Sequence, residues 1–264
     1  MVTLERGLGY IPDEPSRVER DEEQWHAAKL LGAVRTGTRR SNSVLAHAHG
    51  YRLDQGGANS CVAFALNMAC YIGAASHGAP IVLPSFLWTY LVGRLNGAGW
   101  DEPLVDLGCN PGRCTDGLTG RGIAAETRFA YDPSRVNEGP PFDLRQAASD
   151  ALLSGYYVIP SGDASIEMLK HAVDSGFAVA FGGPVDAAYM QLRGSDWWPG
   201  CEGESKGDHM ILATGYDDAR GVETLGSYGR EHGADGVVWM PFDWFASPRV
   251  SGRLVPTAIP KVIT

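Results

Sequence analysis

The chain has 264 residues, 44% of them hydrophobic, and carries 22 Lys and Arg against 31 Asp and Glu, a formal net charge of −9 at pH 7. A chain of this length buries a sizeable core as one domain, and its acidic balance argues against nucleic acid or an anionic membrane as a partner. No stretch approaches the roughly 20 apolar residues that span a bilayer, and Met1-Val2-Thr3-Leu4-Glu5-Arg6 lacks the apolar run of a signal peptide. A cytoplasmic protein is expected, or one packaged with a particle assembled there.

In chain order, residues 1–44 are charged and broken up. They read as an N-terminal extension wrapped on the surface as a packing arm, the functional counterpart being a plug over a cleft; residues 45–264 form the domain proper. From Cys61 onward apolar residues recur at Ala65, Met68, Ala69 and Ile72, which predicts a buried central helix with Ser60 as its N-cap. A second helix is expected over residues 81–95, capped by Ser85, and a Gly-, Pro- and Asp-rich loop over 100–122. Short helices follow at 144–153 and 166–173, the latter stopped by Gly176. Strands are predicted at 177–181, 210–216, 222–225 and 236–240. Helices first and strands later make an α+β chain.

Two segments carry chemistry. In Asp54-Gln55-Gly56-Gly57-Ala58-Asn59-Ser60-Cys61 a glutamine precedes a cysteine in Gln-x5-Cys spacing, and the cysteine opens the predicted helix. A thiol there meets unpaired N–H groups at the positive end of the helix dipole, which favours the thiolate. The Gln55 amide is placed to donate to an oxyanion forming beside the sulfur. Far downstream, Gly207-Asp208-His209-Met210 puts a histidine at the start of an apolar strand, and a cysteine nucleophile needs a base of near-neutral pKa.

Gln55, Cys61 and the His209 strand resemble the papain-like (C1) cysteine peptidases, with their Gln-x5-Cys and Gly-x-His-strand-Gly-Tyr motifs. Residues 225–239 resemble the block that follows the histidine, with Gly229, Gly233 and Gly236 in register. Gly226 stands where the family has the asparagine that orients the imidazole, and Tyr228 replaces the shielding tryptophan. Ser227, Glu223 and Asp217 are the candidates to take over that role. Phe129-Ala130-Tyr131-Asp132-Pro133 and the order of elements over 151–189 are similar to the bacterial and phage branches. The resemblance covers residues 45–245.

It implies a two-lobed fold, with the nucleophile on a helical lobe and the histidine on a β-barrel-like lobe. It implies a thiol hydrolase cleaving peptide bonds, with Cys61 as nucleophile, His209 as its imidazolium partner and Gln55 with the Cys61 N–H as oxyanion hole. Gly117 aligns with a family glycine that holds the substrate backbone. A peptide or protein is the expected partner, and no cofactor or metal is implied. A second reading keeps the fold for binding or assembly, virion-associated if phage-encoded, with little turnover; a third directs the acyl group to an amine.

Of the other cysteines, the family's disulfide cysteine before the nucleophile is replaced by Ala58, which fits a reducing compartment; Cys109 and Cys114 either close a small loop, supply half a metal site or, the favoured reading, stand as free thiols in a turn. His47-Ala48-His49 is a weak metal pattern. His171 and His232 read as solvent-facing. The cluster 196–200 either lines a cleft or caps the core.

Overall fold

The computed structural model describes residues 6–13, 39–79, 82–95, 99, 102–147 and 156–256. Helix α1 (Cys61–Ser76) is its central element, and every residue from Cys61 to Ala74 is buried. Helices wall it on one side and strands on the other, so it is apolar all round and not along one stripe. Ser60 sits at the N-cap position without capping. Its hydroxyl pairs with that of Tyr131 at 2.9 Å, and no α1 amide uses it.

Helix α2 (Phe86–Leu95) begins as its sequence predicts: the Ser85 hydroxyl accepts from Trp88 N at 3.1 Å and donates to the Phe129 carbonyl at 2.6 Å. The stretch 100–122, expected as loop, instead contains helix α3 (Pro111–Arg121). Asn110 caps it by accepting from Arg113 N at 3.0 Å, and Pro111 takes the first helical position. Its glycines give poor intrinsic propensity, but they let α3 lie directly on α2. A Cβ on Gly93 would stand 2.2 Å from the Cys114 sulfur, and one on Gly117 would stand 2.8 Å from Val92 Cγ2. Gly117 therefore packs α3 against α2. Helix α4 (Phe142–Ala147) covers the start of the helix expected at 144–153; the rest lies outside the described residues.

The strands form one seven-stranded antiparallel sheet. They are β1 (Ser41–Ser43), β2 (Tyr156–Val158), β3 (Val179–Asp186), β4 (Ser205–Asp217), β5 (Gly221–Leu225), β6 (Val237–Met240) and β7 (Ser251–Pro256), in the order β2-β7-β3-β4-β5-β6 with β1 on β4. The sheet thus takes in residues just ahead of position 45. Helices α5 (Ala164–Asp174), α6 (Ala187–Met190) and α7 (Phe242–Ala246), with short 3-10 helices at Leu45–Ala48 and Pro133–Arg135, complete the described elements. β4 is covered by α1 and by α5. Its residues from His209 to Tyr216 are all buried, which is why that stretch reads as an unbroken apolar run. Register sets His209 opposite Gly183 on β3. Helices carrying Cys61 and a sheet carrying His209 thus meet along one line.

Candidate active site

Cys61 is the first residue of α1 and fully buried. The Met210 N–H donates to its sulfur at 3.4 Å. Met210 follows His209 on β4, so this bond sets the histidine beside the thiol. The His209 ring stacks on Tyr228, with centroids 4.6 Å apart and planes at 23°. Its Nδ1 lies 3.4 Å from the Tyr228 hydroxyl, and thiol and imidazole are not hydrogen-bonded to each other. Burial pushes the Cys61 thiol up to about 12. Burial, with smaller contributions from His232 and Arg6, pushes His209 down to about 3. In this conformation both groups are neutral.

Gln55 is buried and held at both ends. Its Oε1 accepts from the Ser227 hydroxyl at 2.5 Å, which leaves Nε2 to donate to the carbonyls of Gly7 at 3.0 Å and Ala58 at 2.6 Å. Its backbone is fixed as well: Gln55 N donates to Ser227 O at 2.9 Å, and the Tyr131 hydroxyl donates to Gln55 O at 2.8 Å. The loop ahead of the nucleophile is thereby tied to both lobes. The structure brings Gln55, Cys61 and His209 into one place.

That place is covered by the chain's own N-terminal segment. The Gly7 carbonyl accepts from the Tyr228 hydroxyl as well as from Gln55, both at 3.0 Å. Gly7 N donates to Gly56 O at 3.1 Å and Leu8 N to Asn59 Oδ1 at 3.0 Å. Gly9 N and Tyr10 N both point at the carbonyl of Asp208, the residue before the histidine. Opposite, Cys109 N donates to Gly9 O at 2.9 Å and Ile11 N to Cys109 O at 3.1 Å, a parallel bridge. The Arg6 guanidinium lies over the Tyr228 ring and donates to its carbonyl at 2.8 Å. Tyr10 is 5% exposed, and its hydroxyl meets Ser251 Oγ at 2.6 Å. The ring fits because Gly182 has no side chain; a Cβ there would come within 2.4 Å of it. Within the extension, residues 6–11 therefore run through the cleft and not over an outer surface.

Several expected roles fall elsewhere. Ser227 orients Gln55 and not the imidazole. Glu223 accepts from Ser43 and Thr214, and Asp217 from Ala219 N, so neither serves His209. Among the described residues no carboxylate hydrogen-bonds His209 or His232. His232, expected at the surface, is fully buried because it folds under Tyr189, its Nε2 2.7 Å from the Tyr189 carbonyl. Trp198 packs between Tyr189 and Trp244 and donates to Asp186 at 3.1 Å, so it caps the core, whereas Trp197 is 41% exposed. All five cysteines are free thiols; Cys109 and Cys114 lie with sulfurs 3.1 Å apart. Among the described residues no group of three or more His, Cys, Asp or Glu side chains is placed to hold a metal. Sequence reasoning missed Cys109 and Asn110 as cleft-wall residues. They act through backbone and a cap, so their side-chain types carry no signal for it.

A helical lobe with a cysteine at the head of its central helix, facing a histidine on an antiparallel sheet, is the papain-like cysteine protease fold. Xylellain, a cysteine protease from Xylella fastidiosa, superposes with a TM-score of 0.76 at 19% identity over 98% of each chain. Digestive procathepsin L 3 of Tenebrio molitor matches with a TM-score of 0.67 at 18% identity, over 97% of this chain and 77% of that one. Bromelain of Ananas comosus, in an inhibitor complex, matches with a TM-score of 0.63 at 17% identity over 83% and 99%. In sequence the chain is 24% identical over 270 residues to an uncharacterized peptidase C1-like protein of Acanthamoeba polyphaga mimivirus, covering 94% of this chain and 86% of that protein. No family model matches the chain. Its resemblance to the C1 peptidases holds in sequence and in fold.

Proposed function

We propose that the protein is a papain-like thiol peptidase in which residues 6–11 hold the cleft closed. One observation carries this reading: the side-chain amide of Gln55 donates to a peptide carbonyl, that of Gly7, in the cleft where Cys61 and His209 meet. With the segment displaced, water reaches both groups and the desolvation that keeps them neutral is relieved. The thiol proton then passes to the His209 imidazole. The Cys61 thiolate adds to a substrate carbonyl, whose oxygen takes hydrogen bonds from Gln55 Nε2 and the Cys61 N–H. Collapse of that adduct breaks the C–N bond, His209 protonates the departing amine, and water then hydrolyses the thioester to release acid and free thiol. The substrate is a peptide or protein, since the segment now seated is itself a peptide held through its backbone. A cytoplasmic location is part of the same proposal.

The test uses full-length chains. Gly9 has φ +129° and packs onto Asn59, a geometry closed to a side chain, so Gly9→Ala unseats the segment. Fluorogenic peptides are expected to be cleaved at least about tenfold faster by Gly9→Ala than by the parent, an effect of about 1.4 kcal/mol. Cys61→Ser in either background is expected to abolish cleavage. Peptide pools left intact by Gly9→Ala, with its thiol shown accessible to iodoacetamide, would refute peptidase activity.

A further inference from the structure

Cys109 and Cys114 are two thiols that the proposed reaction does not use, and the fold puts them together. Asn110 is the N-cap of α3, so Cys109 stands one residue ahead of the cap and Cys114 at the fourth helical position. Those two positions meet at the start of a helix, where an apolar pair commonly staples the entering chain. Here the staple is a pair of sulfurs 3.1 Å apart, within about 1 Å of a bond length. Both side chains are buried, Cys114 completely. The Cys114 sulfur is seated against Gly93, where a Cβ would come within 2.2 Å of it, so it is packed against α2 as well as carried by α3. Cys109 also lines a cavity of about 220 Å³ whose wall includes Arg94 and Arg113, a route suited to a small anionic reagent.

The backbone of Cys109 is also the shelf on which the N-terminal segment lies. It donates to Gly9 O and accepts from Ile11 N, and the next residue, Asn110, donates to Pro12 O at 2.9 Å. We propose that Cys109 and Cys114 form a redox site whose disulfide clamps this shelf to the helical lobe and latches the segment in the cleft. The oxidant is a low-molecular-weight disulfide. The Cys109 thiolate attacks one of its sulfurs and expels one small thiol. The Cys114 sulfur, giving up its proton, then displaces the second small thiol from Cys109, and the Cys109–Cys114 bond remains. Two electrons and two hydrogens leave with two molecules of small thiol, and excess thiol reverses the exchange. In the reduced protein the shelf is held by packing and hydrogen bonds alone. In the oxidised protein it closes a covalent ring with the first turn of α3, and the segment lifts less often. The latch regulates the site assigned above, so its meaning, though not its formation, rests on the peptidase reading.

The experiment uses the full-length chain carrying Cys61→Ser, so that the nucleophile takes no part, incubated with glutathione disulfide for hours at about pH 8.5, the ordinary thiol value. Burial, with Cys114 alongside, raises the Cys109 thiol well above that value, and exchange starts from the thiolate, so closure is slow. The sequence lets the bond be read directly. Arg113 lies between the two cysteines, so trypsin cuts there and leaves residues 95–113 and 114–121 joined only through the disulfide. Amide hydrogen exchange at Cys109 and Ile11, followed by NMR, is expected to slow at least about tenfold in the oxidised protein and to recover with dithiothreitol. Absence of the joined peptides, or a bridge to Cys70 or Cys201 in their place, overturns the site. A bridge that leaves exchange at Cys109 and Ile11 unchanged, or speeds it, overturns the latch. Neither readout involves turnover. A chain that latches as expected, but whose Gly9→Ala form with Cys61 intact cleaves nothing, refutes the peptidase reading and leaves the redox site standing.

Discussion

The thiol and imidazole at the centre of the cleft are both held away from charge, and this sets a pH signature. His209 is pushed to about 3 and His232 to about 4 by burial, whereas in the unfolded chain each titrates near 6.5. Both folded values are depressed, so the unfolded state binds more protons below about pH 6.5 and stability falls as pH drops. The loss continues to about pH 4 for His232 and about pH 3 for His209, with a slope of up to about 1.4 kcal/mol per pH unit for each. Denaturant melts between pH 6.5 and pH 5, above the ordinary carboxylate range, should show it, and His232→Gln should flatten the slope. A slope unchanged in that variant would mean the imidazole is charged in the fold. Gln55 makes a second case at this scale. Ser227→Ala leaves its Oε1 buried and unpaired, at a cost of about 1–3 kcal/mol. It also frees the amide to turn, so kcat is expected to fall about tenfold, by analogy with lost oxyanion donors, with KM little changed. Steady-state kinetics on the Gly9→Ala background would read this.

Helix α3 and the N-terminal segment illustrate how elements depend on one another. Asn110 caps α3 and, through its side-chain amide, donates to Pro12 O at 2.9 Å. One residue therefore serves a helix terminus and the segment lying across the cleft. Asn110→Ala is expected to cost about 1 kcal/mol in stability and to speed Cys61 alkylation by loosening the segment; equal alkylation rates in parent and variant would separate the two roles. The α2–α3 seam predicts a different outcome. Gly93→Ala drives a methyl into the Cys114 sulfur, and overpacking of this kind costs about 1–3 kcal/mol. A melt showing no loss would mean α3 shifts freely on α2. The helix was illegible in sequence because Gly, Pro and Asp read as loop. Only the neighbouring helix, which needs small residues at the contact, gives that composition its purpose.

At the scale of the molecule, two lobes are held in register by hydrogen bonds from backbone amides that cross between them: Gln55 N to Ser227 O, Met210 N to the Cys61 sulfur, and Gly9 and Tyr10 N to Asp208 O. The first two belong to the site itself, and the third belongs to the segment that covers it. Removing the cover therefore exposes the site without untying the lobes, which is the physical basis for expecting Gly9→Ala to gain accessibility and keep its fold. The central helix, the Ser85 cap and the apolar run of β4 were all readable in the chain, because periodicity and capping are local properties. Gln55, Cys61 and His209 were readable as candidates because the Gln-x5-Cys spacing, a cysteine at a helix start and a histidine opening an apolar strand are patterns written in the chain. What surrounds them was not. Ser60 spends its hydroxyl on Tyr131, Ser227 serves Gln55, His232 is buried and Gly117 packs a helix. The course of residues 6–11 through the cleft and the packing of the Tyr189 ring between those of His209 and His232 join segments far apart in sequence. Local order lies in the chain because neighbouring residues share one backbone; partners of a buried polar atom are decided only when distant elements close around it.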